Sequence, residues 1–251
     1  TYEAGRLRKL HGYLGCVSHV DHAVGELVDW IDAQGLADDT IVIYSSDHGD
    51  YVCQFGIMEK APGICADAIT RVPMIWRWPG KFKAGHMAEE IVESVDFVNT
   101  VCALTGIDLM ETADGKDISH LLRGEAGEVH RVGVTEFAWS KSVRKGKYRY
   151  VNYVDQMFED EYPDGFGELY DLEADPWEMT NLYFDPEYAN VVADMKHELL
   201  NWLITTSRPA TSNCVELKES DQATLHYSQI VNADGKFNPG CITKDTFRGY
   251  L

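Results

Sequence analysis

A chain of 251 residues with 45% hydrophobic and 25% charged side chains has enough apolar material for a sizeable core, as one large domain or a domain with a smaller companion. Its formal net charge of −19 argues against a nucleic acid or an anionic membrane as partner, because both would be repelled on approach, and an anionic substrate would need a local patch of positive charge. No run approaches the roughly 18 apolar residues of a membrane span.

In chain order, residues 6–34 carry Leu14, Val17, Val24, Leu27, Val28 and Ile31 at the three-and-four spacing of an amphipathic helix, and Gly35 is placed to end it. His19, Asp21 and His22 on that helix invite a metal reading, but no third ligand spacing supports it; the two histidines are taken as surface residues and Asp21 as structural. Asp38-Asp39 precedes a strand and reads as a solvated turn. Residues 40–45 are β-branched and aromatic without alternation, as in a parallel strand covered by helices on both faces. Asp47, His48, Gly49 and Asp50 then fall at the carboxyl end of that strand, where the loops leaving an open α/β sheet form a crevice. Asp beside His, followed by Gly, suits a metal site. The same three residues also suit a plain turn, with Asp bonding backbone amides and Gly supplying positive φ. A long loop over 51–70 leads to a second strand within 71–80, stopped by Pro79-Gly80.

Residues 94–105 read as a core-covering helix with Ser94 as N-cap, a stripe of Val95, Val98, Val101 and Cys102, and Gly106 as stop. From about 126 the pattern changes. Strands are predicted at 132–137 and 147–154, joined around Arg144-Lys145-Gly146, and at 168–172, with an acidic exposed loop over 155–167. A helix over 186–205 has Tyr188, Val191, Val192, Met195, Leu199, Trp202 and Leu203 on one face. Together these predict a small antiparallel sheet with one packed helix. Residues 206–251 show weak periodicity and two turn signals, giving a division into 1–125, 126–205 and an irregular extension over 206–251. The six cysteines, at 16, 53, 65, 102, 214 and 241, form no C-x-x-C pair, which argues against a zinc knuckle. Most are expected reduced and buried, while Cys214 and Cys241 are able to pair in an oxidising compartment.

SSDHGD at 45–50, Lys60, RVPMIWRWPG at 71–80 and ELYDLEADPWEMTNL at 168–182 stand in the order of one known pattern. On these pieces the chain resembles the sulfatase family of the alkaline phosphatase superfamily. The resemblance implies an α/β fold: the C-terminal part of an alkaline-phosphatase-like mixed sheet flanked by helices, plus a small α+β subdomain. It implies metal-dependent hydrolysis of an anionic sulfate ester, with Asp47 and His48 as metal ligands and Lys60 contacting the sulfate on its leaving-group side. Ca²⁺ is the expected ion, with Mn²⁺ or Zn²⁺ as alternatives because an imidazole is present.

Alternatives stay open for two of these residues. His48 also suits an outer partner of the metal or a general acid, and Lys60 also suits a surface lysine paired with Glu59. Asp50 and Arg71 are assigned no role. The family's C/S-x-P-x-R signature, whose first residue becomes formylglycine, does not occur. Only Ser207 lies two before a proline, and position 211 is Thr. The expectation is therefore a C-terminal fragment, inactive alone, with the nucleophile in a missing N-terminal part. A phosphonate monoester or phosphodiester hydrolase of the same superfamily is the alternative, and a non-catalytic binding domain is the alternative of another class. An oligomer is admitted, and compartment is left open.

Overall fold

The structure is a computed structural model that describes residues 2–57, 60, 65–108, 113–137 and 139–206. Helix α1 (Tyr2–Ala33) ends as predicted, with Gly35 at φ +70° and the Leu36 amide donating back to the Ile31 carbonyl. Its apolar stripe is real but little of it is covered. Leu7, Leu14, Val17, Leu27 and Trp30 are exposed, and Ile31 is the buried one among its described side chains.

Strand β1 (Val42–Ser45) runs antiparallel to β2 (Met74–Arg77), with Val42 opposite Arg77 and Ser45 opposite Met74. This corrects the expected parallel strand covered on both faces. The unbroken apolar run carries no information on strand direction, and Ile75, 58% exposed, shows that one face is open among the described residues. Arg77 clamps Asp32 near the end of α1 through two bonds of 2.7 and 2.8 Å, and Trp76 packs edge-on to Phe97 with centroids 5.7 Å apart. The connection between the strands is less bare than expected. It holds a 3₁₀ turn at Gln54–Gly56 and the short helix α2 (Asp67–Thr70).

Helix α3 (Asp96–Thr105) begins later than predicted, without a side-chain cap from Ser94, and ends at Gly106 with φ +70°. The predicted apolar stripe does not face inward. Asp96, Asn99 and Thr100 are buried while Val95 and Val98 are exposed. The reason is the segment that crosses the helix. Asp96 accepts from the amides of Glu93 and Lys116, each at 2.8 Å, and lies 2.9 Å from His130 Nε2, while Thr100 Oγ1 accepts from the Ile118 amide at 3.1 Å. Backbone groups of an irregular segment need partners when buried, and polar side chains of α3 supply them. Ile118 and Leu121, at and within helix α4 (Ser119–Leu122), pack with Val129, Met74 and Val92.

The small sheet has four strands in the order β3 (Gly133–Glu136), β4 (Ser140–Lys145), β5 (Tyr148–Tyr153) and β6 (Gly167–Asp171), all antiparallel. Strand β4 was not predicted. Its sequence SKSVRK is polar, yet Ser140, Ser142 and Val143 are buried, and the predicted turn joins β4 to β5 at Gly146, φ +56°. The loop over 155–167 is not simply exposed. Phe158 and Phe166 lie 5.3 and 5.4 Å from the Tyr153 ring and share a buried cluster with Cys65 and Val151.

A 3₁₀ turn at Pro186–Tyr188 starts the last helix, with Asp185 accepting from the Glu187 amide at 2.9 Å, and α5 (Ala189–Thr206) follows. Its inward Val192, Met195 and Leu199 match the predicted stripe. Glu198 is also buried, where it pairs with Arg131 and, at 2.7 Å, with Lys145 of β4. The chain forms two compact units, 1–199 and 200–251. Residues 207–251, with Cys214 and Cys241, lie outside the described residues, as does Glu59.

Candidate active site

Beyond Ser45 the chain leaves β1 in a turn tied together by its own side chains. The Ser46 hydroxyl donates to the His48 carbonyl at 2.8 Å, and Asp47 Oδ1 accepts from the His48 amide at 2.9 Å. Asp50 Oδ1 accepts from the Val52 amide at 2.7 Å, closing a second local turn. Gly49 is not needed for positive φ, contrary to the turn reading. It is needed for close approach: its amide donates to the Ile69 carbonyl at 2.8 Å, and a Cβ there would lie 1.9 Å from the Ala68 carbonyl oxygen. The strand end is thereby fastened to α2.

This turn presents Asp47 and His48 side by side. The Asp47 side chain is 84% exposed, and the His48 amide, aided by the charges of His48 and Lys60, holds its carboxyl below the usual carboxylate range. His48 Nδ1 lies 2.8 Å from the Gly49 carbonyl. A carbonyl only accepts, so Nδ1 carries a proton, and in the neutral ring Nε2 offers its lone pair. Nε2 sits 3.4 Å from Asp47 Oδ2. Two adjacent electron-pair donors, one of them an imidazole anchored through its far nitrogen to backbone, fit a divalent cation as two of its ligands. Among the described residues no cluster of three or more His, Cys, Asp or Glu is placed to hold an ion, so the remaining positions are not filled from these residues. Lys60 is exposed and close enough for its charge to act on Asp47. His19, Asp21 and His22 remain exposed on α1, with His22 3.5 Å from Glu26.

A second layer was not foreseen. Under the turn, Tyr51 packs with Ala66 and Ile69. The amide of Asp67 donates to Glu178 Oε2 at 3.1 Å, and Glu178, 4% exposed and at φ +56°, pairs with the guanidinium of Arg149, itself 2% exposed, on β5. Burial pushes the Glu178 carboxyl up to about 7, against the pull of Arg149. A continuous chain of contacts therefore runs from the small sheet through Glu178 and α2 to Gly49. Glu178 lies within the 168–182 stretch that carries the resemblance, but neither periodicity nor spacing marks it as buried.

Residues 2–107 match the sulfatase family, and residues 63–204 match the family described as N-sulphoglucosamine sulphohydrolase, C-terminal. An N-acetylglucosamine-6-O-sulfatase of Bacteroides thetaiotaomicron is 27% identical over 84% of this chain and 38% of its own length. The solved structure of BT4656 in complex with its substrate D-glucosamine-2-N,6-O-disulfate superposes with a TM-score of 0.66 at 23% identity, covering 75% of this chain and 39% of that one. The phosphonate monoester hydrolase of Agrobacterium radiobacter superposes with a TM-score of 0.66 at 24% identity, covering 81% and 42%. The fold is thus alkaline-phosphatase-like α/β, with mixed helices and antiparallel sheets. The chain belongs to the sulfatase family, and it matches the family's C-terminal region. It spans about two fifths of the length of the curated relatives it matches.

Proposed function

We propose that this chain contributes the cation-binding and leaving-group side of a sulfate-ester hydrolase. The observation that carries the reading is the His48 ring, held through Nδ1 by the Gly49 carbonyl with Nε2 3.4 Å from Asp47 Oδ2, at the end of a strand. A divalent cation bound there supplies positive charge against the sulfuryl oxygens, whose negative charge must be stabilised in the transition state. Asp47 offers its carboxylate and His48 the Nε2 lone pair for that purpose. Lys60 adds a positive charge on the leaving-group side, the local cation that an anionic substrate needs on a chain of net charge −19. Ca²⁺ suits the carboxylate and Mn²⁺ suits the mixed pair, and either ion takes more than two ligands.

In this reading residues 1–125 carry the ligand turn and 126–205 brace it through Glu178. The ester is a sugar sulfate, following the relative named for N-acetylglucosamine-6-O-sulfate chemistry. The nucleophile is a formylglycine, for which this sequence has no C/S-x-P-x-R precursor, so the 251 residues alone turn over no ester. Asp47→Ala in the full gene product tests the proposal: bound metal and hydrolysis of an aryl sulfate should both fall to background. Unchanged metal content and turnover would refute it. The same half-site chemistry serves phosphonate monoesters, and an aryl phosphonate turned over faster than the matching aryl sulfate would favour that substrate class.

A further inference from the structure

We propose that cation affinity at the Asp47–His48 pair is regulated by one proton held away from it, on Glu178, which latches α2 and the ligand turn to the small sheet. The proposal rests on the sulfate-ester reading. Every link of the latch is a direct contact. Glu178 Oε2 accepts from the amide of Asp67, the first residue of α2, at 3.1 Å. The Ile69 carbonyl of the same short helix accepts from the Gly49 amide at 2.8 Å, and the Gly49 carbonyl lies 2.8 Å from His48 Nδ1. A shift of α2 at Glu178 therefore reaches the imidazole through the backbone of Gly49.

Three features make Glu178 able to open and close. It is 4% exposed and left-handed at φ +56°, while its neighbours Trp177 and Met179 are 68% and 70% exposed. The chain thus turns an acid inward and an indole and a thioether outward, a costly geometry that relaxes when the acid leaves. Arg149, in turn, is shared between two carboxylates. Glu178 pairs with its Nη2, and Asp67 Oδ1 lies 3.9 Å from its Nε, while Nε and Nη1 are buried without a hydrogen-bond partner among the described residues. One guanidinium balances one carboxylate. Asp67, the less buried of the two acids, supplies that one, so a second anion on Glu178 is poorly compensated. The other groups facing the pair add no cation: the Tyr51 and Tyr170 hydroxyls feel the charges of both Arg149 and Glu178, Arg149 lies 5.3 Å over the Tyr170 ring, and Glu168 is a further acid within reach of Arg149. Burial accordingly outweighs Arg149 and raises the Glu178 carboxyl from 4.5 to about 7. Protonated Glu178 still offers an oxygen to the Asp67 amide and buries no charge, so the latch is tightest with the proton on. An open state with the acid in water holds that proton less well, so opening becomes easier as pH rises from 4.5 to about 7 and levels off above.

The test titrates the full gene product and its Glu178→Gln variant with Ca²⁺ by calorimetry between pH 5 and pH 8, and follows backbone amide exchange of both without metal. Protonation of Asp47 and His48 weakens binding equally in the two proteins and cancels in the ratio of their affinities. The affinities should be closest at pH 5, and at pH 8 the wild type should bind Ca²⁺ roughly tenfold more weakly than Glu178→Gln, an ordinary strength of coupling between sites. The Gly49 and Asp67 amides should exchange together and ahead of those of the central strand β5. Their opening constant should rise by up to about tenfold per pH unit between pH 5 and pH 7 in the wild type and stay flat in the variant. An affinity ratio that does not change with pH, or one that favours the wild type at pH 8, overturns the proposal; a merely structural Glu178 moves urea stability and leaves this ratio still. If neither protein binds Ca²⁺, or Asp47→Ala binds it as well as the wild type does, the cation site of the sulfate-ester reading fails, and amide exchange decides the latch by itself. Opening at Gly49 that ignores pH, or that comes only with β5, then overturns it, and the predicted rise supports it.

Discussion

Replacing Glu178 by Gln should stabilise the protein at pH 8 relative to pH 5, although it removes one partner of a buried ion pair. The Glu178 carboxyl is buried against Arg149 and receives the Asp67 amide, with the carboxylate of Asp67 facing it as well. Burial outweighs Arg149 and raises the carboxyl from 4.5 to about 7. Because the folded-state value lies above the unfolded one, the folded protein binds more protons between those limits, and stability falls as pH rises through them. At 1.36 kcal/mol per pH unit the interval from 4.5 to about 7 corresponds to about 3 kcal/mol lost by pH 8. Gln mimics the protonated acid in shape and carries no charge. It should therefore match the wild type near pH 5 and exceed it by about 3 kcal/mol at pH 8, or about 6 to 12 °C in Tm. Glu93 and Glu168, also raised chiefly by burial, slope in the same direction in both proteins and cancel in the difference. Urea unfolding of both proteins at pH 5 and pH 8 measures it. A variant that loses more stability at pH 8 than at pH 5 would show that the ionised pair with Arg149 wins over desolvation, and the reasoning would fail.

Two further substitutions probe the turn and the polar helix. Gly49→Ala drives a methyl to 1.9 Å from the backbone oxygen of Ala68, so β1 and α2 must part and the 2.8 Å bond to Ile69 is lost. About 1 to 3 kcal/mol of stability should go with it, together with the metal affinity proposed for Asp47 and His48, read by urea unfolding and metal titration. Asp96→Ala leaves the amides of Glu93 and Lys116 and the His130 ring without their common acceptor. About 3 kcal/mol or more should be lost in thermal unfolding, and a neutral result would show that water replaces the carboxylate.

What could be read in the sequence divides along a physical line. Elements whose signal is local came through: α1 with its Gly35 stop, the Pro186 start of the last helix, and the turn at Gly146. The position of Asp47 and His48 at a strand end came through as well, because a β-branched run followed by polar residues announces it. Elements whose identity depends on a distant partner did not. Strand β4 is polar by composition and exists because β3 and β5 flank it on either side. Helix α3 turns its polar face inward because an unrelated segment, 113–118, needs its acceptors. The bracing of the site has the same character. Glu178 looks like one acid among many, and its role follows from meeting Arg149 and the Asp67 amide in space.

That difference bears on how the site is built. The turn proposed to supply two ligands is 84% exposed at Asp47 and so has little packing of its own around that side chain. Its own side-chain bonds close it, and Gly49, α2 and Glu178 tie it to the small sheet, whose Arg149, Tyr150, Val151 and Leu169 are almost fully buried. The proposed ligand turn is thus linked by contact to the best-buried part of the small sheet. Loosening the Glu178 contact should consequently be felt at Asp47 and His48 even though no atom of the turn is changed.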